Sequence, residues 1–293
     1  MTSLQVLVPC IGDLELLELQ LRSLIAQRDP EWTAAVIAGS AAADDARTLV
    51  DRLGDPRLSH VPWDGTTGIG ATWNRALDLA TADLVVLAHA DDELLPGYVG
   101  CVRSAAEQAR KAAMIVPRAM TIDRAGLLAP GAVEWVKARL APRADGLTLE
   151  HGQRALARLM VGQWIVCPAV AYRRALLDGQ RFSVELEQAL DLDLFGRLIL
   201  AGATVAAAPD VVYRYRRHPA SQTALTTASG RRFREEAIVH RRISSAAAQQ
   251  GWWLAAAVAA GRPTSRVHRV WIGLQQLRQR WRARAHSPRS GAV

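Results

Sequence analysis

The chain has 293 residues, half of them apolar, enough to bury a sizeable core in one or two domains. Thirteen arginines and no lysine against Glu235 and Glu236 put residues 226–293 at +11, so the net charge of +8 leaves residues 1–225 at −3. No stretch offers the ~20 uninterrupted apolar residues of a spanning helix, the N-terminus lacks a signal-peptide pattern, and the dispersed Cys10, Cys101 and Cys167 match no disulfide, metal or redox spacing, which together suit a reducing cytoplasm.

Residues 4–8 predict a first strand, broken by Pro9 and Gly12. Over residues 13–27, Leu14, Leu17, Leu21, Leu24 and Ile25 recur at helical spacing behind Asp13 as N-cap. Residues 34–38 read as a strand ended by Gly39-Ser40, residues 43–53 as a helix and residues 58–61 as a third strand. A glycine-rich loop, residues 64–70, precedes a helix over residues 71–80. Gly68-Ile69-Gly70 at that helix start either brings backbone N–H groups to a phosphate or is a structural turn, and it lacks the spacing and Lys of a P-loop.

Residues 84–92, Leu-Val-Val-Leu-Ala-His-Ala-Asp-Asp, form an apolar strand that stops on two carboxylates. Ligands of open α/β sheets bind at such strand ends, and two acids there can hold a hard divalent cation that in turn holds phosphates. Two other readings stay open: Asp91 or Asp92 caps a helix beginning near Pro96, or an aspartate is phosphorylated as in receiver domains. The latter are shorter and expect a downstream lysine, whereas the chain has only Lys111 and Lys137.

Beyond residue 113, the pattern predicts a strand over residues 114–120, a turn over 121–126 and irregular chain over 127–150. A helix follows over 153–161, then an apolar stretch around Pro168, and a helix over 186–201 carrying Asp191 and Asp193. Strands over 202–207 and 211–215 run into Arg216, Arg217 and His218. Strands alternating with helices imply a mostly parallel sheet covered on both faces. Near the C-terminus, Val270, Trp271, Leu274, Leu277 and Trp281 share one helical stripe among arginines. Such a helix over residues 262–285 suits an anionic membrane surface or docks on the body, and no nucleic-acid motif is present.

In order along the chain, these residues resemble the inverting, nucleotide-sugar-dependent glycosyltransferases of family two, which have the A-type (GT-A, Rossmann-like) fold. Val6-Leu7-Val8-Pro9 with Leu17, Leu21, Ser23-Leu24 and Gln27 is similar to their first strand and helix; Gly68-Ile69-Gly70-Ala71 through Asn74-Arg75-Ala76 is similar to their glycine-to-asparagine segment. His89-Ala90-Asp91-Asp92 stands in the place of their metal motif, and Gly162-Gln163 with Pro168 through Arg174 in that of the acceptor segment. Asp191-Leu192-Asp193-Leu194 resembles the helix of the general base, and Tyr215-Arg216-Arg217-His218 the segment that closes over the diphosphate. The sequence departs from the family at Ala38-Gly39-Ser40, where an aspartate usually reads the base, at His89 in place of an acid, and at Leu190 in place of a glutamate.

The resemblance implies a mixed, mostly parallel α/β sheet with helices on both faces and a C-terminal helical extension. It divides the chain into a catalytic domain over 1–225 (a nucleotide-sugar half over 1–112, an acceptor half over 113–225) and a basic extension over 226–293. The implied reaction moves a sugar from a nucleoside diphosphate to an acceptor hydroxyl, with Mg²⁺ or Mn²⁺ on Asp91 and Asp92 neutralising the leaving diphosphate. Asp191 is then the general base, and Pro9, Gly68, Asn74, His89, Asp91, Arg216, Arg217 and His218 face the donor. Gln163 and Trp164 face a saccharide, lipid-linked or small-molecule acceptor. Asp193, two residues beyond Asp191 on a helix, points elsewhere. A homologue that binds a nucleotide or a partner without turnover is the alternative, with the base-reading aspartate missing and His89 in the metal motif.

Overall fold

The computed structural model describes residues 2–10, 13–39, 42–63, 68–142, 145–177, 179–217, 229–267 and 269–272. Its first half alternates β1 (Leu4–Cys10), α1 (Leu14–Ile25), β2 (Thr33–Gly39), α2 (Ala43–Leu53), β3 (Leu58–Trp63), α3 (Ile69–Leu79) and β4 (Leu84–Leu87). Val6, Leu7 and Val8 of β1 are wholly buried, because helices cover both faces of the sheet and a central strand must be apolar on both sides. Asp13 caps α1 by accepting from Leu16 N at 3.2 Å.

β5 (Glu93–Leu94), α4 (Tyr98–Gln108), β6 (Ala112–Ile122), α5 (Ala132–Leu140), β7 (Thr148–Glu150), α6 (Gly152–Val161), β8 (Ala171–Arg173), α7 (Leu190–Leu200) and β9 (Thr204–Arg216) complete the sheet and its cover. The nine strands lie in the order β3-β2-β1-β4-β8-β6-β9-β5, with β7 also on β9. β4 and β6 each run antiparallel to β8, and β9 runs parallel to β6, so β1, β4, β6 and β9 point the same way. Their carboxyl ends open on one edge of the sheet, which is where the site lies.

Four local expectations change. The fourth strand stops at Leu87, and the chain turns so that Asp92 N meets His89 O before β5 pairs with β9, Glu93 opposite Arg214. Two polar residues of α1 hold this excursion: Ser23 Oγ accepts from Leu94 N at 3.0 Å, and Gln27 Nε2 donates to Leu95 O at 2.9 Å. α4 therefore starts beyond Pro96 with Gly97 at its N-cap, and neither Asp91 nor Asp92 caps it.

Residues 127–150 are not irregular, since they contain α5 and β7. No residue of α5 is fully buried, because its apolar side chains face a cleft instead of the core, and a core periodicity was absent for that reason. The two strands expected around Pro209-Asp210 are one, β9, whose pairing with β6 shifts register between Val116 and Arg118.

Residues 231–261 are built into the body. α8 (Arg231–Gln249) and α9 (Trp253–Gly261) place Val239, Ile243, Ala247, Ala255 and Ala259 in one hydrophobic cluster with Leu156, Met160, Phe195 and Leu198 of α6 and α7. Gly196 makes room for this contact: a Cβ there would lie 2.7 Å from Ile243 Cδ1. Residues 263–267 and 269–272 are helical, and the predicted stripe beyond them lies outside the described residues.

Candidate active site

A cleft of about 1270 Å³ lies over the carboxyl ends of β1, β4, β6 and β9. Its lining includes Pro9, Asp13, Gly68, Trp73, His89 and Asp91 together with Lys137, Gln163, Trp164, Asp191, Arg217 and Arg232. α5 and Pro263, Thr264, Ser265, Val267 and Trp271 contribute further lining.

The two glycines before α3 do different work. Gly68 has φ +131, a backbone conformation that favours glycine, and it borders the cleft. A Cβ on Gly70 would stand 2.7 Å from Ser183 O, so that glycine serves close packing of α3. Asn74 also serves packing: its Nδ2 donates to Phe182 O at 2.9 Å and its Oδ1 accepts from Phe182 N at 2.8 Å, and it is absent from the cleft lining. Its neighbour Trp73 takes the place in the lining that the sequence reading gave to Asn74, with its ring 5.6 Å from that of His89.

His89, Asp91 and Asp92 each offer a ligand atom within 4.8 Å of the others. Burial holds the His89 imidazole below its ordinary pKa, so it is neutral at pH 7 with a lone pair to offer. Asp92 is fully buried behind the cleft wall, its Oδ1 accepting from Arg216 N at 2.7 Å and its Oδ2 from Tyr213 Oη at 3.0 Å. Burial and the adjacent Asp91 push its carboxyl well above the usual range. One imidazole and two carboxylates that strain against each other's charge are a donor set that a divalent cation fits.

The basic segment divides. The Arg216 side chain is 1 % exposed, with Nε donating to Asp91 O at 2.6 Å, Nη1 to Asp123 O and Arg124 O at 3.0 and 2.9 Å, and Nη2 to Glu93. A guanidinium so occupied cannot clamp a diphosphate; it fixes the Asp91 turn instead. Arg217 borders the cleft and pairs with Glu134 of α5 at 2.5 Å. His218 lies outside the described residues.

Asp191 sits in the first turn of α7, and its charge acts on the His89 imidazole. Its Oδ2 accepts from Gln163 Nε2 at 2.5 Å and its Oδ1 from Leu192 N at 2.7 Å. Burial raises its pKa, opposed by those two donors and by the Lys137 and Arg232 charges. Asp193 is instead buried against Arg197, 2.8 Å away, so the two acids are not a solvated face.

The sequence of residues 5–154, just over half of the chain, matches the model of glycosyl transferase family 2. The chain belongs to that family. It is a nucleotide-sugar-dependent glycosyltransferase with the GT-A fold. The uncharacterized protein MT1568 of Mycobacterium tuberculosis is 26% identical over 240 residues, covering 78% of this chain and 71% of its own. Residues 1–349 of TarS from S. aureus superpose with a TM-score of 0.66 at 16% identity, covering 89% of this chain and 71% of that TarS fragment. The mannosyltransferase PcManGT of Pyrobaculum calidifontis, in complex with GDP-Man and Mn²⁺, gives 0.59 at 18% identity, covering 96% and 82%.

In this glycosyltransferase the cleft also contains groups that the sequence reading passed over. Lys137 and Glu134 come from the segment expected to be irregular, and Arg232, Glu236 and His240 from the helix read as a basic extension. The signal for Arg232 and Glu236 was their i,i+4 spacing in a pair 2.7 Å apart, which looks like any solvated helix pair until α7 packs beside it. Glu235 was equally hidden. Its Oε2 accepts from the backbone N–H groups of Glu187, Gln188 and Ala189 at 3.0, 2.8 and 3.2 Å and so holds the turn that leads into α7, the helix that carries Asp191.

Proposed function

We propose that the enzyme transfers a sugar from a nucleoside diphosphate to an acceptor hydroxyl by a single inverting displacement assisted by Mg²⁺ or Mn²⁺. The observation that carries this reading is the position of Asp191: a carboxylate oriented by Gln163, in the same cleft as His89 and Asp91 and near enough to His89 for its charge to act on the imidazole. Asp191 would accept the proton of the attacking hydroxyl, and its raised pKa gives it the basicity for that task. Pro9, Gly68 and Trp73 would border the donor. His89 and Asp91, with Asp92 behind them, would hold the cation, which supplies charge to a departing diphosphate. Family neighbours bind such donors: TarS is seen with UDP-GlcNAc and with UDP, and PcManGT with GDP-Man.

Residues 1–225 would then carry the chemistry, with Arg232, Glu236 and His240 of α8 bordering the cleft. No helix among the described residues is long and apolar enough to cross a membrane. Exposed Trp253, Val267, Val270 and Trp271, set among Arg262, Arg266 and Arg269, would suit peripheral contact with an anionic leaflet carrying a lipid-linked acceptor. Co-sedimentation with anionic but not zwitterionic vesicles tests that contact.

Calorimetry with UDP and GDP, with and without Mn²⁺, tests the donor reading. Binding that strengthens with the metal and weakens on Asp91→Asn is expected. Metal-independent binding of either nucleotide would contradict the metal assignment, and binding of neither would contradict the donor.

A further inference from the structure

The chain has two lysines, of which Lys111 is exposed on the surface and Lys137 lines the cleft. The charged groups that surround Lys137 have close partners of their own. Arg217, just past β9, pairs with Glu134 of α5 at 2.5 Å, Arg232 with Glu236 on α8 at 2.7 Å, and Asp191 of α7 is held by Gln163. Lys137 differs: among the described residues its ammonium has no hydrogen bond and no ion pair, only the longer-range pull of Asp191 and Glu134 and the push of Arg232 and Arg217. Burial and Arg232 bring its pKa down to about 8, so near neutrality the charge is retained without a bonded counter-ion.

An ammonium carries three donors and no acceptor, and in a half-closed cleft those donors need acceptors. Asp191 does not supply them directly, and as the base it must stay open to a hydroxyl. We infer that Lys137, with Arg232 beside it, binds an anionic group on the acceptor, a phosphate or a carboxylate, and thereby sets a neighbouring hydroxyl against Asp191. This rests on the transferase reading above. The acceptor is the assigned source because Lys137 lines the cleft with Asp191, and Asp191, the proposed base, is among the charges that act on its ammonium. A compact point charge on a flexible stem also suits a phosphate presented by varied acceptors.

Calorimetric titration of the full chain tests this, using inorganic phosphate, glucose 6-phosphate and glucose as probes, with UDP or GDP and Mn²⁺ already at saturation. Phosphate and glucose 6-phosphate are expected to bind with glucose at least tenfold weaker. Lys137→Met should weaken both anions about tenfold, the scale of one charge-assisted hydrogen bond. Lys137→Arg should restore most of the loss, and nucleotide affinity should not change in either variant. Three results would overturn the inference: equal anion binding by wild type and Lys137→Met, no anion binding at all, or displacement of phosphate by the nucleotide, which would put it in the donor's diphosphate locus. Anion binding through Lys137 by a chain that binds no nucleotide would leave the anion site standing and overturn the donor reading instead.

Discussion

Gln163 Nε2 donates to Asp191 Oδ2 at 2.5 Å, tying the residue that follows α6 and Gly162 to the first turn of α7. The bond fixes the carboxylate plane and favours the charged form against the burial that raises its pKa. Asp191 must be ionised to act as a base, so activity falls as pH drops through a pKa lying above the ordinary carboxylate value. Gln163→Ala removes a stabilising donor and should move that acid limb to still higher pH while lowering kcat. The pH profile of kcat/KM checks this; an unmoved limb would separate Gln163 from the titration.

Arg216 and Arg217 should behave unlike each other. The Arg216 guanidinium ties together Asp91, Asp123, Arg124 and Glu93 from a 1 % exposed position, and its removal leaves buried carbonyls and a carboxylate without partners. Arg216→Ala is expected to destabilise the fold by about 3 kcal/mol or more, read by urea denaturation. Arg217 is 36 % exposed and borders the cleft, so Arg217→Ala should leave the urea midpoint nearly unchanged and act on ligand affinity.

Glu235 should matter to a helix it does not belong to. Burial raises its pKa, but the three backbone N–H groups of the turn before α7 and Arg231 outweigh that, holding the carboxyl below its ordinary value of 4.5. A depressed folded pKa adds stability that is present above the unfolded value and is lost as pH falls through the folded one. Glu235→Ala should thus lower stability by about 1–2 kcal/mol at pH 7, and the difference from wild type should shrink below about pH 4. Thermal melts across that range provide the check.

Gly68 and Gly70 are separable by substitution. Gly70→Ala drives a Cβ against the Ser183 carbonyl and is expected to destabilise by about 1–3 kcal/mol. Gly68→Ala meets no atom within 4 Å but strains a φ of +131, so it should disturb the cleft wall and donor affinity with a smaller change in melting temperature.

Much of the fold was legible because its signals are local. Asp13 announced α1, and the apolar run of β1 its burial. What escaped depended on partners remote in sequence. Asn74 resembles a donor ligand until Phe182 is seen to occupy both amide atoms. Arg216 and Arg217 are adjacent and chemically alike, and only the strand's alternation sends one side chain inward and the other to the cleft rim. Lys137 lay in a segment whose apolar residues face the cleft, so it carried no core periodicity to mark it.

The central claim is that Asp191 is the base of a nucleotide-sugar transfer. The most direct measurement is nucleoside diphosphate released from a panel of UDP- and GDP-sugars by wild type and Asp191→Asn, with Mn²⁺ and a mixed panel of neutral and phosphorylated sugar acceptors, alongside calorimetric affinity for the same nucleotides. The account expects release by the wild type, at least about 100-fold less by the variant, and equal nucleotide affinity for both. Equal release by the two proteins, or tight nucleotide binding with no release by either, would contradict it.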